Sequence, residues 1–224
     1  RGLGDVYKRQ VTGDGSTGSL IVNHKDINKI AFTGSTQVGK LIQKSLAGRD
    51  VGLTLELGGK AANIVYEDAA IDQAVEGVVN GIFFNQGHVC CAGSRLLLQE
   101  SIHDEFVKKL EKRMQSLRVG NPLDKNTDIG AINSKEQLDK ITGLVNEGVE
   151  DGGELFQTEC ELPGNGFWFR PTLFTNVQPS YSIAREEIFG PVLTTLTFRT
   201  PEEAVEIANN TEYGLSAGVW TEKG

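Results

Sequence analysis

"INKIAFTGSTQVGKLIQKSLA", residues 27–47, changes its hydrophobic period halfway. Residues 27–33 read as a strand, and from Thr36 the apolar residues Val38, Leu41, Ile42 and Leu46 recur at helical spacing. Between the two lies Gly34-Ser35-Thr36. A strand that runs through a small polar turn into a helix is half of a βαβ unit. It brings the helix N-terminus, with its free N–H groups, two hydroxyls and positive dipole end, to the end of the strand. Such a turn seats a pyrophosphate or is an ordinary capped helix, and this stretch alone does not choose.

The same alternation continues outward. Residues 53–57 form a strand that stops at Gly58-Gly59, and 62–66 form another. A helix over 71–84 carries Ile71, Val75, Val78, Val79 and Ile82 on one stripe, followed by a strand at 95–99. Ser101 and Asp104 are expected to cap a helix bearing Phe106, Val107, Leu110, Met114 and Leu117. Gly120 and Pro122 open a polar loop, and Ser134 with Gln137 forms a capping box for a helix over 138–149. Strands are expected at 172–177, 192–198 and 216–220. Thr200, Pro201 and Glu203 start a helix between the last two. The expected fold is α/β, with mostly parallel twisted sheets flanked by helices. Residues 1–10, "RGLGDVYKRQ", lack this periodicity and carry Arg1, Lys8 and Arg9; they read as a solvated arm or a non-native tail.

Bulk properties narrow the function. The 224 residues, 38% hydrophobic, suffice for a sizeable core. Lys and Arg number 22 against 30 Asp and Glu, a net charge of −8, which argues against a nucleic-acid partner. No apolar run approaches the roughly 20 residues of a membrane span. Three cysteines make no disulfide framework and point to a reducing compartment, with a cytoplasmic location expected.

Two motifs imitate nucleotide sites. "GDGSTG" (13–18) matches G-x-G-x-x-G but lacks a preceding strand and reads as a Gly-rich turn. "GSTQVGK" (34–40) nears a P-loop, yet Leu41 stands where the magnesium-binding hydroxyl belongs.

Chemistry concentrates in "NQGHVCCAGSR" (85–95), where Cys90 and Cys91 are adjacent in a polar, Gly-containing loop. A metal site would need three or four ligands, and His88, Cys90 and Cys91 are crowded with no C-x-x-C partner. A vicinal disulfide would strain the backbone, and a buried structural pair is the bland reading. A nucleophilic thiol would need a base. His88 is the local candidate. Glu56, a lone carboxylate in "LELGGK" (55–60), is the better one, because desolvation in an apolar strand would raise its pKa. A solvated edge position is the alternative for it.

"FTGSTQVG" (32–39), "LELGGK" (55–60), "FFNQGHVCCAGSR" (83–95) and "EEIFGPV" (186–192) resemble, in order and spacing, the signature segments of the aldehyde dehydrogenase superfamily. The resemblance runs from Val11 to Gly224. It implies a Rossmann-like cofactor-domain piece at 11–58 and an incomplete catalytic domain at 59–224, an interior part of the family's length. Gly34 and Ser35 would lie at the pyrophosphate of NAD or NADP, and Gly39 would let their helix pack closely. Leu57 would also lie at the cofactor. Cys90 corresponds to the nucleophile, with Cys91 a structural neighbour, and Glu56 to the base that activates the hydrolytic water. Glu187 corresponds to the carboxylate on the nicotinamide ribose and Phe189 to the aromatic beside the nicotinamide. No metal is implied. The reaction implied is oxidation of a small-molecule aldehyde to an acid through a cysteine thiohemiacetal and thioester, in a full-length protein that is a homo-oligomer. His88 departs from the Gln or Glu frequent at its position. A CoA-acylating relative, a non-catalytic scaffold relative and, outside the class, a P-loop nucleotide hydrolase are the alternatives.

Overall fold

The computed structural model describes residues 9–223. Most of the expected 1–10 tail therefore lies outside the described residues. The chain divides into two compact units at Gly58/Gly59.

In the smaller unit, helix α1 (Gly15–Asn23) precedes strand β1 (Lys29–Thr33), helix α2 (Thr36–Leu46) and strand β2 (Gly52–Glu56). β1 and β2 pair in parallel, from Lys29 opposite Gly52 to Thr33 opposite Glu56. Ile30, Ile42 and Leu46 form the core, with Val22, Phe32 and Leu53 packed on it. α1 was not expected. The Asp14 carboxylate caps it, accepting from the Ser16 N–H at 2.9 Å, so the G-x-G-x-x-G run is the start of a helix and not a free turn. Asp14 is held below the usual carboxylate range by these Ser16 hydrogen bonds. The C-terminal end of α1 is closed by Arg49, which donates to the Val22 and His24 carbonyls at 2.7 and 2.8 Å.

The larger unit is built on one six-stranded sheet. Its strands are β3 (Ala62–Val65), β4 (Arg95–Gln99), β5 (Glu154–Gln157), β6 (Thr172–Thr175), β7 (Val192–Phe198) and β8 (Ala217–Trp220), in the order β5-β6-β7-β4-β3-β8. All neighbours are parallel except β5, which lies antiparallel on β6. Helices α3 (Ile71–Phe83), α4 (His103–Met114), α5 (Lys135–Glu150), α6 (Ser182–Arg185) and α7 (Pro201–Asn209) surround it. Leu96, Leu97 and Leu98 in β4 are all fully buried, as expected of a central parallel strand covered on both faces. Leu96 and Leu98 join the α3 and α4 side chains Val75, Val78, Ile82, Phe106 and Leu110. Leu97 joins Ile64, Leu196, Phe198 and Ala204 on the other side.

Local details depart from the sequence reading. The Ser101 hydroxyl does not cap α4; it donates to Glu67 Oε2, and α4 has no side-chain cap. Ser134 does accept from the Gln137 N–H at 3.1 Å, but the Gln137 side chain does not return to close the box. Strand β5 and the single-turn α6 were not anticipated; each is only four residues long, too short for a period to show.

Candidate active site

β3, β4, β7 and β8 run parallel, so the segments that enter them lie at one end of the sheet. These segments contain Gly59, Cys90, Glu187 with Phe189, and Leu215. Gly59 is a point of close approach. Its N–H donates to Glu187 Oε1 at 3.1 Å, and a Cβ placed on it would collide with the Cys90 carbonyl oxygen and lie 3.5 Å from Leu215 Cβ. The backbone of the cysteine loop and the Glu187 carboxylate thus meet across a residue that has no room for a side chain.

The cysteine loop is strained on its approach. After α3, Asn85, Gln86 and Gly87 have φ values of 49°, 47° and 74°. Two successive non-Gly residues in the left-handed region cost about 1–2 kcal/mol each. Side chains hold them there: Asn85 Nδ2 donates to the His88 carbonyl at 3.2 Å, and Gln86 Oε1 accepts from the Gly130 N–H at 3.2 Å. Cys90 is half-buried and Cys91 is exposed. Cys91, expected as a structural neighbour, accepts from the Ser216 hydroxyl through its carbonyl at 3.3 Å.

The Glu187 segment is equally constrained. Phe189 has φ 55°. Gln137 on α5 donates to both the Ile188 and Phe189 carbonyls, at 2.8 and 3.0 Å, and Lys140, one turn on, donates to the Glu187 carbonyl at 2.7 Å. The sequence reading missed Gln137 and Lys140. Their i, i+3 spacing on a polar helix face was the available signal, masked by the capping-box role given to Gln137. His88 stacks on Phe189, with ring centroids 5.3 Å apart and planes 5° from parallel. Burial holds the His88 imidazole below its usual pKa, so it is neutral at neutral pH.

Behind these loops lie two buried cations, Lys60 at 2% and Arg95 at 4% exposure. Lys60 Nζ donates to the Ile183 carbonyl at 2.9 Å. Arg95 donates to the Lys60, Ile207 and Ala208 carbonyls at 2.8, 2.9 and 2.8 Å, tying β4 to the entry of β3 and the last turn of α7. Burial, with Arg95 close by, pulls Lys60 down to about 7 against the opposing pull of Glu187.

The smaller unit holds Gly34, Ser35, Gly39, Glu56 and Leu57. Ser35 caps α2, its Oγ accepting from the Val38 N–H at 3.3 Å, and the Gly34 N–H donates to the Glu56 carbonyl at 3.0 Å. Helix α2 begins at Thr36, so the 34–40 run is a capped helix and not an extended phosphate-wrapping loop. Gly39 is buried, and a Cβ there would come within 2.5 Å of Leu57 Cδ2. The close packing expected of Gly39 is therefore against Leu57. Glu56 is exposed: along β2, Leu53 and Leu55 are half-buried while Thr54 and Glu56 are exposed. The desolvation expected for its carboxylate is not present, because the strand alternates and Glu56 falls on the polar side.

Between α1 and α2 runs a groove of about 590 Å³. Ile21, Phe32, Val38 and Leu41 line its apolar wall, with Ser19 and Ser45 also on its lining. Val38 and Leu41 were expected to pack inward with Ile42 and Leu46, but they are 41% and 63% exposed. Among the described residues no three His, Cys, Asp or Glu side chains group as metal ligands, and no helix is long and apolar enough to cross a membrane.

The model of the aldehyde dehydrogenase family matches residues 7–224. Retinal dehydrogenase 2 of Taeniopygia guttata is 49% identical over 209 residues, which is 91% of this chain and 40% of that protein. The mitochondrial aldehyde dehydrogenase of Homo sapiens is 46% identical over 213 residues, 94% of this chain and 41% of that protein. The NAD+ complex of an aldehyde dehydrogenase from Bacillus cereus superposes with a TM-score of 0.90 at 41% identity, over 94% of this chain and 43% of that one. The chain thus spans about two fifths of the length of these relatives. With a family match over nearly its whole length and near-half identity to full-length members, the chain belongs to the aldehyde dehydrogenase family.

Proposed function

We propose that, in a polypeptide completed to the length of its relatives, this chain carries the oxidation of an aldehyde to a carboxylic acid with NAD or NADP. In this reading residues 11–58 are the end of the cofactor domain and 59–224 much of the catalytic domain. The observation that carries it is the meeting of the Cys90 backbone and the Glu187 carboxylate across Gly59. A nucleophile and a ribose-binding acid must be held close together for a reacting carbon to face a nicotinamide.

The groove between α1 and α2 would take the adenine, and the Gly34-Ser35 cap of α2 the pyrophosphate. Glu187 would hold the nicotinamide ribose and Phe189 would flank its ring. Bound NAD supplies the hydride acceptor. The Cys90 thiolate adds to the aldehyde carbonyl carbon, giving a thiohemiacetal. Loss of hydride from that carbon leaves a thioester on Cys90 Sγ. Glu56 then takes a proton from water as its oxygen attacks the thioester carbonyl, and the acid departs with the thiolate restored.

Aldehyde-dependent NADH absorbance, measured on the completed polypeptide with and without CoA, tests the reading. Turnover without CoA that is lost in Cys90→Ala is expected. Turnover that needs CoA would point to acyl transfer instead, and turnover that survives Cys90→Ala would overturn the assignment.

A further inference from the structure

His88 is where the sequence departs from the residues frequent at its position, and the structure gives it a defined job. Its ring lies parallel to that of Phe189, 5.3 Å away. Phe189 itself adopts φ 55°, a backbone conformation that disfavours aromatic residues and returns to the ordinary regions unless held. Its neighbours hold the backbone. Gln137 takes the carbonyls on either side of the Phe189 N–H, and a Cβ on Gly87 would collide with the Gly190 carbonyl, so the two loops touch main chain to main chain. These are contacts of the backbone; the Phe189 ring itself faces the parallel imidazole of His88. Among the described residues His88 Nε2 is buried without a hydrogen-bond partner, and the contact the imidazole makes is through its flat face.

We propose that His88 is the positioning residue for Phe189: the stacked imidazole sets the Phe189 ring and, through it, the wall against which the nicotinamide rests. The proposal relies on the functional reading above for the last step only. His88 touches neither substrate nor the reacting atoms in this scheme. It acts through Phe189, and so it governs cofactor binding more than the chemistry on Cys90.

A double-mutant cycle on the completed polypeptide tests it. His88→Ala should raise the KM for NAD by roughly three- to tenfold, the worth of one aromatic pair, with kcat changed much less. His88→Phe, which keeps a flat plate and removes the orphaned nitrogen, should restore the KM. In the Phe189→Ala background His88→Ala should have little further effect. Histidine-selective carbon-13 NMR of the same polypeptide gives a readout independent of turnover. The His88 ring signal, identified by its loss in His88→Phe, should be shifted upfield and should move back in Phe189→Leu. Additive kinetics, a KM that His88→Phe leaves raised, or a His88 signal indifferent to Phe189 would each overturn the proposal. Should the wild type reduce no NAD while its His88 signal still depends on Phe189, the functional reading fails and the stack stands.

Discussion

At the scale of single residues, Glu56 and Gly59 bear the sharpest expectations. Glu56→Gln keeps the shape of the side chain but cannot accept a proton. If Glu56 acts in deacylation, the completed enzyme should release one equivalent of NADH in a burst. The steady rate that follows should be slower by ~10²–10⁴, the usual range for general acid–base catalysis. Stopped-flow absorbance separates the two phases. A lost burst would assign Glu56 to ionising the thiol, and unchanged phases would remove it from the mechanism. Gly59 works by absence. Gly59→Ala forces a methyl group into the Cys90 carbonyl and toward Leu215. Overpacking of this kind costs about 1–3 kcal/mol. The Glu187 hydrogen bond to the Gly59 N–H would be displaced with it, so the urea midpoint should fall and NAD affinity should weaken together. A variant with full stability and unaltered affinity would show that the close approach does not matter.

At the scale of elements, two hydroxyls that look alike in the sequence part company. Thr200 caps α7, its Oγ1 accepting from the Glu203 N–H at 3.3 Å, while the Ser101 hydroxyl turns to Glu67 on the surface. Thr200→Ala should therefore cost about 1 kcal/mol in urea unfolding, and Ser101→Ala less than about 0.5 kcal/mol. Equal losses would contradict the assignment. The pair also shows where the sequence was readable. Strands β4 and β7 were legible to the residue, because short runs of apolar and β-branched residues between turns leave one reading. Helix α3 was legible through its stripe and α5 through the Ser134 cap that starts it. The helix α1 was hidden by its two glycines and two serines, and its cap, Asp14, looked like part of a turn. Gln137 was assigned to its own helix because capping is a local rule. Its true partners, Ile188 and Phe189, lie some fifty residues on, and no local pattern encodes such a contact. The burial of Glu56 failed for a related reason: apolar flanks in an alternating strand say nothing about the opposite face.

At the scale of the molecule, the end of the larger unit's sheet that gathers Gly59, Cys90 and Glu187 also shelters charge. Lys60 and Arg95 are buried there, each bonded to carbonyls, and among the described residues neither forms an ion pair. Burying a cation without a counter-charge is costly, and a lysine answers by losing its proton. The groups that act on Lys60 are Arg95 and Lys140, which disfavour its charge, and Glu187 and Glu186, which favour it; burial outweighs all of them and brings it to about 7. The consequence for folding has a definite sign. An unfolded lysine keeps its proton up to an ordinary value of 10.5, while the folded one releases it near 7. Between these limits the unfolded chain binds the extra proton, so stability must rise as pH is raised through this window. Below about 7 both states are charged, and the full penalty of burial is felt. Lys60→Met keeps the length of the side chain and removes the titration. Urea unfolding followed from pH 7 to 10 should show a rising stability in the parent chain and a flatter profile in the variant, although Met leaves the Ile183 carbonyl without its donor and lowers the curve at high pH. The difference between the two curves isolates Lys60 from other titrating groups such as Tyr213, whose proton burial also helps to retain. Parallel curves would mean that Lys60 stays charged in the fold, held by Glu187 against the cost of burial.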